Sequence, residues 1–258
     1  MCAEEGLESA AQSVPSVRMT VLAYIPVLFA MTSSDAVITL LNSPSATSAK
    51  EFAAAKQMVE ADAKAGKPIQ QFVVGLFTDD KEQAKKCFEK SRAKIHLAAE
   101  RYNNPLAWYL LSLENNDMAM LRKAADLGNV QALNALGTIE MQEISRQQTW
   151  TTNSCDESVK RSYQYFCRAA KERDPNGFVN LGLCHLRGLG CEKNVKLAFQ
   201  CFRSAAEAGH SEGMDYVAKM YRNGEGVARS ESRALYWEMR ARARRGDEAA
   251  EEWLRSAK

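Results

Sequence analysis

The sequence predicts an all-α fold, a right-handed α-solenoid of about six antiparallel helix pairs. Three observations carry that expectation. Two stretches near the end of the chain superimpose at a fixed offset, small and aliphatic residues recur at constant distances from a repeated turn, and Gly-x-Gly turns separate successive units. The composition agrees with a folded chain, with 46% hydrophobic and 26% charged residues and only six prolines among 258 residues.

The clearest self-similarity begins at Asn180, where NLGLCHLRGLGCEKNVKLAFQCFRSAAEAGH lies over YVAKMYRNGEGVARSESRALYWEMRARARRGD from Tyr216. Gly188 then stands above Gly224 and Ala198 above Ala234, an offset of 36. Extended backwards, the position that ends the first helix of each unit falls at Gly66, Tyr102, Gly128, Arg173, Gly209 and Gly246, with spacings of 36, 26, 45, 36 and 37. Eight residues after these anchors come Val74, Leu110, Leu136, Leu181, Val217 and Leu254, and one further on Gly75, Leu111, Gly137, Gly182, Ala218 and Arg255.

The first helices show a matching pattern. Ala63, Ala99, Ala125, Ala170 and Ala206 lie three residues before their anchors, and Val59, Ile95, Leu121, Phe166 and Phe202 lie seven before. Small and large apolar groups at i and i+4 give each helix one apolar stripe, and the small ones permit close approach by a neighbour. A single helix pair cannot cover such stripes, so stacking must.

In chain order, residues 1–46 form an N-terminal extension and 47–258 the solenoid. The extension holds Met19 to Met31, MTVLAYIPVLFAM, thirteen apolar residues and too few to span a bilayer. Its length suits a signal sequence, but Glu4, Glu5 and Glu8 precede it with only Arg18 as a basic residue, so the expected role is a buried cap, with targeting as the alternative. The unit from Tyr102 to Gly128 is short and lacks its Gly-x-Gly turn. The next is long, and its extra residues form a polar loop, Ser145 to Ser158.

KAADLGN at Lys123, SAAEAGH at Ser204, NLG at Asn180 and YRNGEGV at Tyr221 resemble the Sel-one-like repeat, a relative of the tetratricopeptide repeat. The resemblance covers Lys50 to Lys258 and is most specific in the last three units. It implies an adaptor, a curved stack of helix pairs that holds other proteins together in endoplasmic-reticulum degradation complexes, in signalling or in bacterial contact with a host. A cysteine-rich branch of the family pairs cysteines between the two helices of each unit; here those positions hold Ala125, Ala170 and Ala206.

Charge excludes some functions. Lys plus Arg is 34 and Asp plus Glu 32, a formal net charge of +2 that creates no global field for nucleic acid or anionic lipid. The basic run RARARR, Arg240 to Arg245, is flanked by Glu238, Asp247, Glu248, Glu251 and Glu252, as a solvated terminal repeat would be, so no nucleic-acid partner is expected. Seven cysteines, an odd number without a CxxC pair, fit reduced thiols and a cytoplasmic location; a targeting role for residues 1–46 would instead place the chain in the endoplasmic reticulum or mitochondrion.

No catalytic constellation emerges. His96, His185 and His210 stand beside no nucleophile motif, and His210, following Gly209, is expected to face water at the turn. Cys184, His185 and Cys191 are the only local cluster, but adjacent helical residues diverge and a fourth ligand is missing, so core thiols are expected and no metal or cofactor. The Gly-x-Gly turns lack the lysine and hydroxyl of a phosphate loop.

The expected function is therefore a non-enzymatic scaffold that binds a protein or peptide on the concave face lined by first helices. Tyr163, Gln164, Arg168, Gln200, Arg203, Tyr236 and Arg240 are the candidate contacts, with Trp150 in the polar loop. The alternatives are a subunit of an organellar assembly and a repeat-fold hydrolase.

Overall fold

The computed structural model describes residues 33–42, 48–146 and 157–256, all within the compact unit Ser33–Lys258. The apolar segment Met19–Met31, Trp150 and residues 147–156 of the polar loop lie outside the described residues. Of that loop, Ser145 and Arg146 close one helix and Glu157 and Ser158 open the next.

Among the described residues there are thirteen α-helices and no strand. They are α1 Ser33–Leu41, α2 Ala49–Lys64, α3 Pro68–Phe77, α4 Lys81–Tyr102, α5 Pro105–Asn115, α6 Met118–Asp126, α7 Val130–Arg146, α8 Glu157–Lys171, α9 Pro175–Arg187, α10 Val195–Glu207, α11 Ser211–Asn223, α12 Glu231–Arg244 and α13 Glu248–Ser256. From α2 onward they form six consecutive pairs, and the second helix of each pair also packs on the first helix of the next. This is the predicted α-solenoid. Helix α1 precedes the pairs, within the stretch read from sequence as extension, and packs on α2.

The recurrent positions are where the stacking occurs. Val59, Ile95, Leu121, Phe166 and Phe202 are all buried, as are Leu110, Leu136, Leu181 and Val217. The glycines of the second helices explain the fit: a Cβ on Gly137 would stand 2.5 Å from the Phe166 ring, and one on Gly182 2.7 Å from the Phe202 ring. Each missing side chain is thus replaced by an aromatic ring from the following pair. Phe202 also stacks on Tyr216, with ring centroids 4.4 Å apart.

The turns inside each pair were anticipated with one error of register. Gly66, Gly128, Gly209 and Gly246 have φ near +90°, and Arg173 adopts +58°, but at the second unit the left-handed residue is Asn103, with φ +46°, not Tyr102. Asparagine tolerates that conformation, so the chain carries one more residue before the turn there. The next connection, which lacks Gly-x-Gly, uses Asn116 in the same conformation, φ +51°. Where Gly-x-Gly is present, its second glycine is required by contact, because a Cβ on Gly190 would lie 2.6 Å from the Val159 carbonyl oxygen and one on Gly226 2.5 Å from that of Val195.

Candidate functional site

In five of the six pairs, all but the first, a polar residue directly after the turn starts the second helix with a side-chain cap. Asn104, Asn129, Asp174, His210 and Asp247 each accept a hydrogen bond through the side chain from the backbone N–H three residues on, at 3.0, 2.8, 2.7, 3.2 and 3.1 Å. The residues that donate are Ala107, Ala132, Gly177, Gly213 and Ala250, all small because the first helix of the pair passes close by. A Cβ on Gly177 would meet that of Ala169 at 2.7 Å, and one on Gly213 that of Ala205 at 2.8 Å. This series of caps and small residues was in the sequence but not read from it.

His210 corrects an expectation. It is 1% exposed rather than facing water, because Asn176 of the preceding pair covers it and accepts a hydrogen bond from Nε2 at 3.2 Å. With Nδ1 accepting from Gly213, the ring is held neutral with its proton on Nε2. Burial, reinforced by Arg244 and Arg245, pushes its pKa down to about 4.

The cysteine and histidine cluster is a packed one. Cys184 and Cys201 are buried, Cys167 and Cys191 half-buried, and the Cys191 thiol lies 3.5 Å from His185 Nδ1. Burial pushes the Cys191 thiol up to about 11 and the Cys201 thiol to about 12, so these sulfurs remain protonated and unreactive at neutral pH. His185 is itself buried, and its pKa falls for the same reason. Among the described residues no group of three or more His, Cys, Asp or Glu side chains is disposed to hold a metal ion.

The candidate binding residues divide. Gln164, Gln200, Arg203 and Tyr236 are exposed on α8, α10 and α12. Arg240 lies over the Trp237 ring at 4.7 Å and the Tyr236 ring at 5.7 Å, so the three make one aromatic and cationic surface. Two others serve the scaffold. Arg168 donates to the Ala125 carbonyl at 2.7 Å, tying α8 to the end of α6. Tyr163 is half-buried edge-on to His185, with ring centroids 5.7 Å apart.

Three of the four arginines of the basic run, all but Arg240, are paired within the chain. Arg242 pairs with Asp247 at 2.7 Å, Arg245 with Asp215, and Arg244 donates to the Gly209 carbonyl at 3.0 Å while pairing with Glu51 at 2.9 Å. Glu51 belongs to the first pair of helices, so this contact ties the first pair to the last, as does Lys50 with Glu251 at 3.3 Å.

With this geometry in view, known proteins offer a likeness. The Sel1 repeat model matches residues 118–129, 179–210 and 211–237, which fall on α6, α9 to α11 and the first half of α12. Over those segments the chain is similar to Sel1 repeats. A Sel1 repeat protein from Oxalobacter formigenes shares the fold, with 22% identity, a TM-score of 0.50, and coverage of 79% of this chain and 60% of that one. Rat and mouse DAP3-binding cell death enhancer 1 are 26% and 27% identical over 104 residues, 40% of this chain. The chain matches only 18% of the length of those relatives. Sel1-like repeats generally mediate protein–protein interaction and are typically non-catalytic. No helix among the described residues is long and apolar enough to cross a membrane.

Proposed function

We propose that this chain is a non-enzymatic scaffold that binds a protein or peptide across the first helices of its last three pairs, with Gln164, Gln200, Arg203, Tyr236 and Arg240 as contacts. The observation that carries the reading is the group on α12 in which exposed Tyr236 adjoins the half-buried Trp237 and Arg240. Tyrosine, tryptophan and arginine are the residue types that dominate interface energies, contributing about 2 kcal/mol or more at hot spots. Their mutual stacking also holds them in place before a partner arrives, which lowers the entropy lost on binding.

The name of the mammalian relatives, a DAP3-binding protein, supports a partner-binding role but does not identify this chain's partner. The proposed location is cytoplasmic. Recruitment of a fluorescent protein to an organelle by residues 1–46 would replace that with an endoplasmic-reticulum or mitochondrial assembly. Affinity capture with mass spectrometry tests the surface: Tyr236→Ala with Arg240→Ala is expected to lose partners that the unaltered chain retains. An unchanged partner set would refute the assignment, and turnover that disappears with one of the three histidines would refute the non-enzymatic reading.

A further inference from the structure

Residues 50–94 differ from residues 222–245 in the state of their cations. Between residues 222 and 245 all seven cations are arginines. Each has a partner: Arg222 meets Glu238, Arg229 meets Glu231, Arg233 lies over Tyr221, and Arg240, Arg242, Arg244 and Arg245 are engaged as described. Between residues 50 and 94 there are nine lysines and one arginine. Of those lysines only Lys50 and Lys67 form ion pairs among the described residues.

Four of the unpaired lysines border a trough of about 950 Å³ between α1, α2, α3 and α4. Lys56 and Lys64 stand on the α2 side, and Lys86 and Lys90 on the α4 side. Between them the lining combines apolar side chains with Gln71, Thr78 and Gln83. Val59 and Val73 are buried there, while Phe52 and Phe77 remain 38% and 56% exposed. Acidic side chains at the trough do not cancel the lysines: Asp80 is held by the α4 N-terminus, accepting from Glu82 N–H at 2.9 Å and Gln83 N–H at 3.2 Å. Asp79 and Glu60 remain, against four cations.

We propose that this trough takes an amphipathic helix of a partner protein whose flanks are acidic. Two exposed phenylalanines beside a buried valine floor fit the apolar stripe of such a helix, and lysines on both walls fit carboxylates on both of its flanks. This part of the scaffold already packs one helix in that way. Helix α1 packs on α2, its Ala36 and Val37 are 0% exposed, and its Leu40 forms part of the trough wall. The inference rests on the protein-binding reading above but on a different surface, remote in sequence from Tyr236.

The test uses the full chain and a designed 16-residue fluorescein-labelled helix with leucines at i, i+3, i+4 and i+7 and glutamates on both flanks. A second probe carries lysine in place of every glutamate. Fluorescence anisotropy is expected to show binding of the glutamate probe, about tenfold or more weaker binding of the lysine probe, and loss of affinity with added salt. Lys56→Glu with Lys90→Glu, and separately Phe77→Ser, are each expected to weaken the glutamate probe by about tenfold, since all three side chains are exposed and their replacement leaves the core intact. Equal affinity for the two probes, no binding of the glutamate probe, or no effect of these substitutions would overturn the proposal. So would an equal loss on Tyr236→Ala, whereas loss of captured partners on Tyr236→Ala with unaltered probe binding keeps the two surfaces separate.

Discussion

His210 makes a prediction about acid stability that depends on its position as a helix cap. Its folded pKa is near 4, against about 6.5 for a free histidine. Above pH 6.5 the ring is neutral in both folded and unfolded chains and has no linked effect. As pH falls below 6.5 the unfolded chain takes up a proton that the folded chain refuses, so stability is lost until about pH 4, where the folded ring also protonates. At 1.36 kcal/mol per unit, the loss attributable to this ring between pH 7 and pH 5 is about 2 kcal/mol. His185, also buried and shifted downwards, acts in the same direction.

The informative substitution is His210→Asn, because Asn104 and Asn129 perform the same cap in other pairs and asparagine does not titrate. It forfeits the hydrogen bond to Asn176, so the comparison is of pH dependence and not of stability at one pH. Urea unfolding followed by far-ultraviolet circular dichroism and by tryptophan fluorescence at pH 7, 6 and 5 gives the slopes. Coincident transitions are required, since repeat arrays can unfold in sections. The variant is expected to lose about 2 kcal/mol less than the unaltered chain over this range. Equal losses would refute the buried, neutral cap.

Gly182→Ala is expected to destabilise by about 1–3 kcal/mol despite alanine's better helix propensity, because its Cβ would stand 2.7 Å from the fully buried Phe202 ring; adding Phe202→Leu should recover part of the loss in the same urea assay. Native-state alkylation mapped by mass spectrometry should leave Cys184 and Cys201 unmodified, since both are buried with thiols pushed well above neutral pH, and rapid labelling of either would refute the packing of α9 on α10. A double-mutant cycle on Glu51 and Arg244 should give a coupling below about 1 kcal/mol that shrinks in 0.5 M salt, because both side chains are partly exposed; a coupling of zero at low salt would refute the tie between the first and last pairs.

The fold was legible because its signals are local. A turn residue able to adopt positive φ, an aliphatic residue eight positions later and an alanine three positions earlier all lie within one helix pair, and each recurs often enough to be aligned. The single slip, Tyr102 for Asn103, arose where one additional residue enters before the turn while the apolar positions on either side keep their places. The polar positions failed for a different reason. His210 and Arg168 are both determined by a neighbour from the preceding pair, Asn176 in one case and the Ala125 carbonyl 43 residues away in the other. Nothing in the segments that hold them signals that cover. The caps, by contrast, could have been found by aligning the residue after each anchor, where asparagine, aspartate and histidine recur.

The distribution of cations carries more information than the net charge of +2 suggested. A guanidinium presents several N–H groups in a fixed plane, so it can meet a carbonyl and a carboxylate together, as Arg244 does with Gly209 and Glu51. An ammonium is compact and more strongly hydrated, and on an exposed helix it gains little from leaving water. Arginine between residues 222 and 245 therefore fits a surface whose charges are joined to one another, and the predominance of lysine between residues 50 and 94 fits one whose charges stay solvated. Averaging the two made the charge look uninformative, although the choice between the cations is written in the sequence and maps onto which of them are paired. Solvated lysines around exposed aromatics keep their charge available to an incoming carboxylate, which is why the first two helix pairs, outside the segments matched by the family model, are where the acidic helix is proposed to bind.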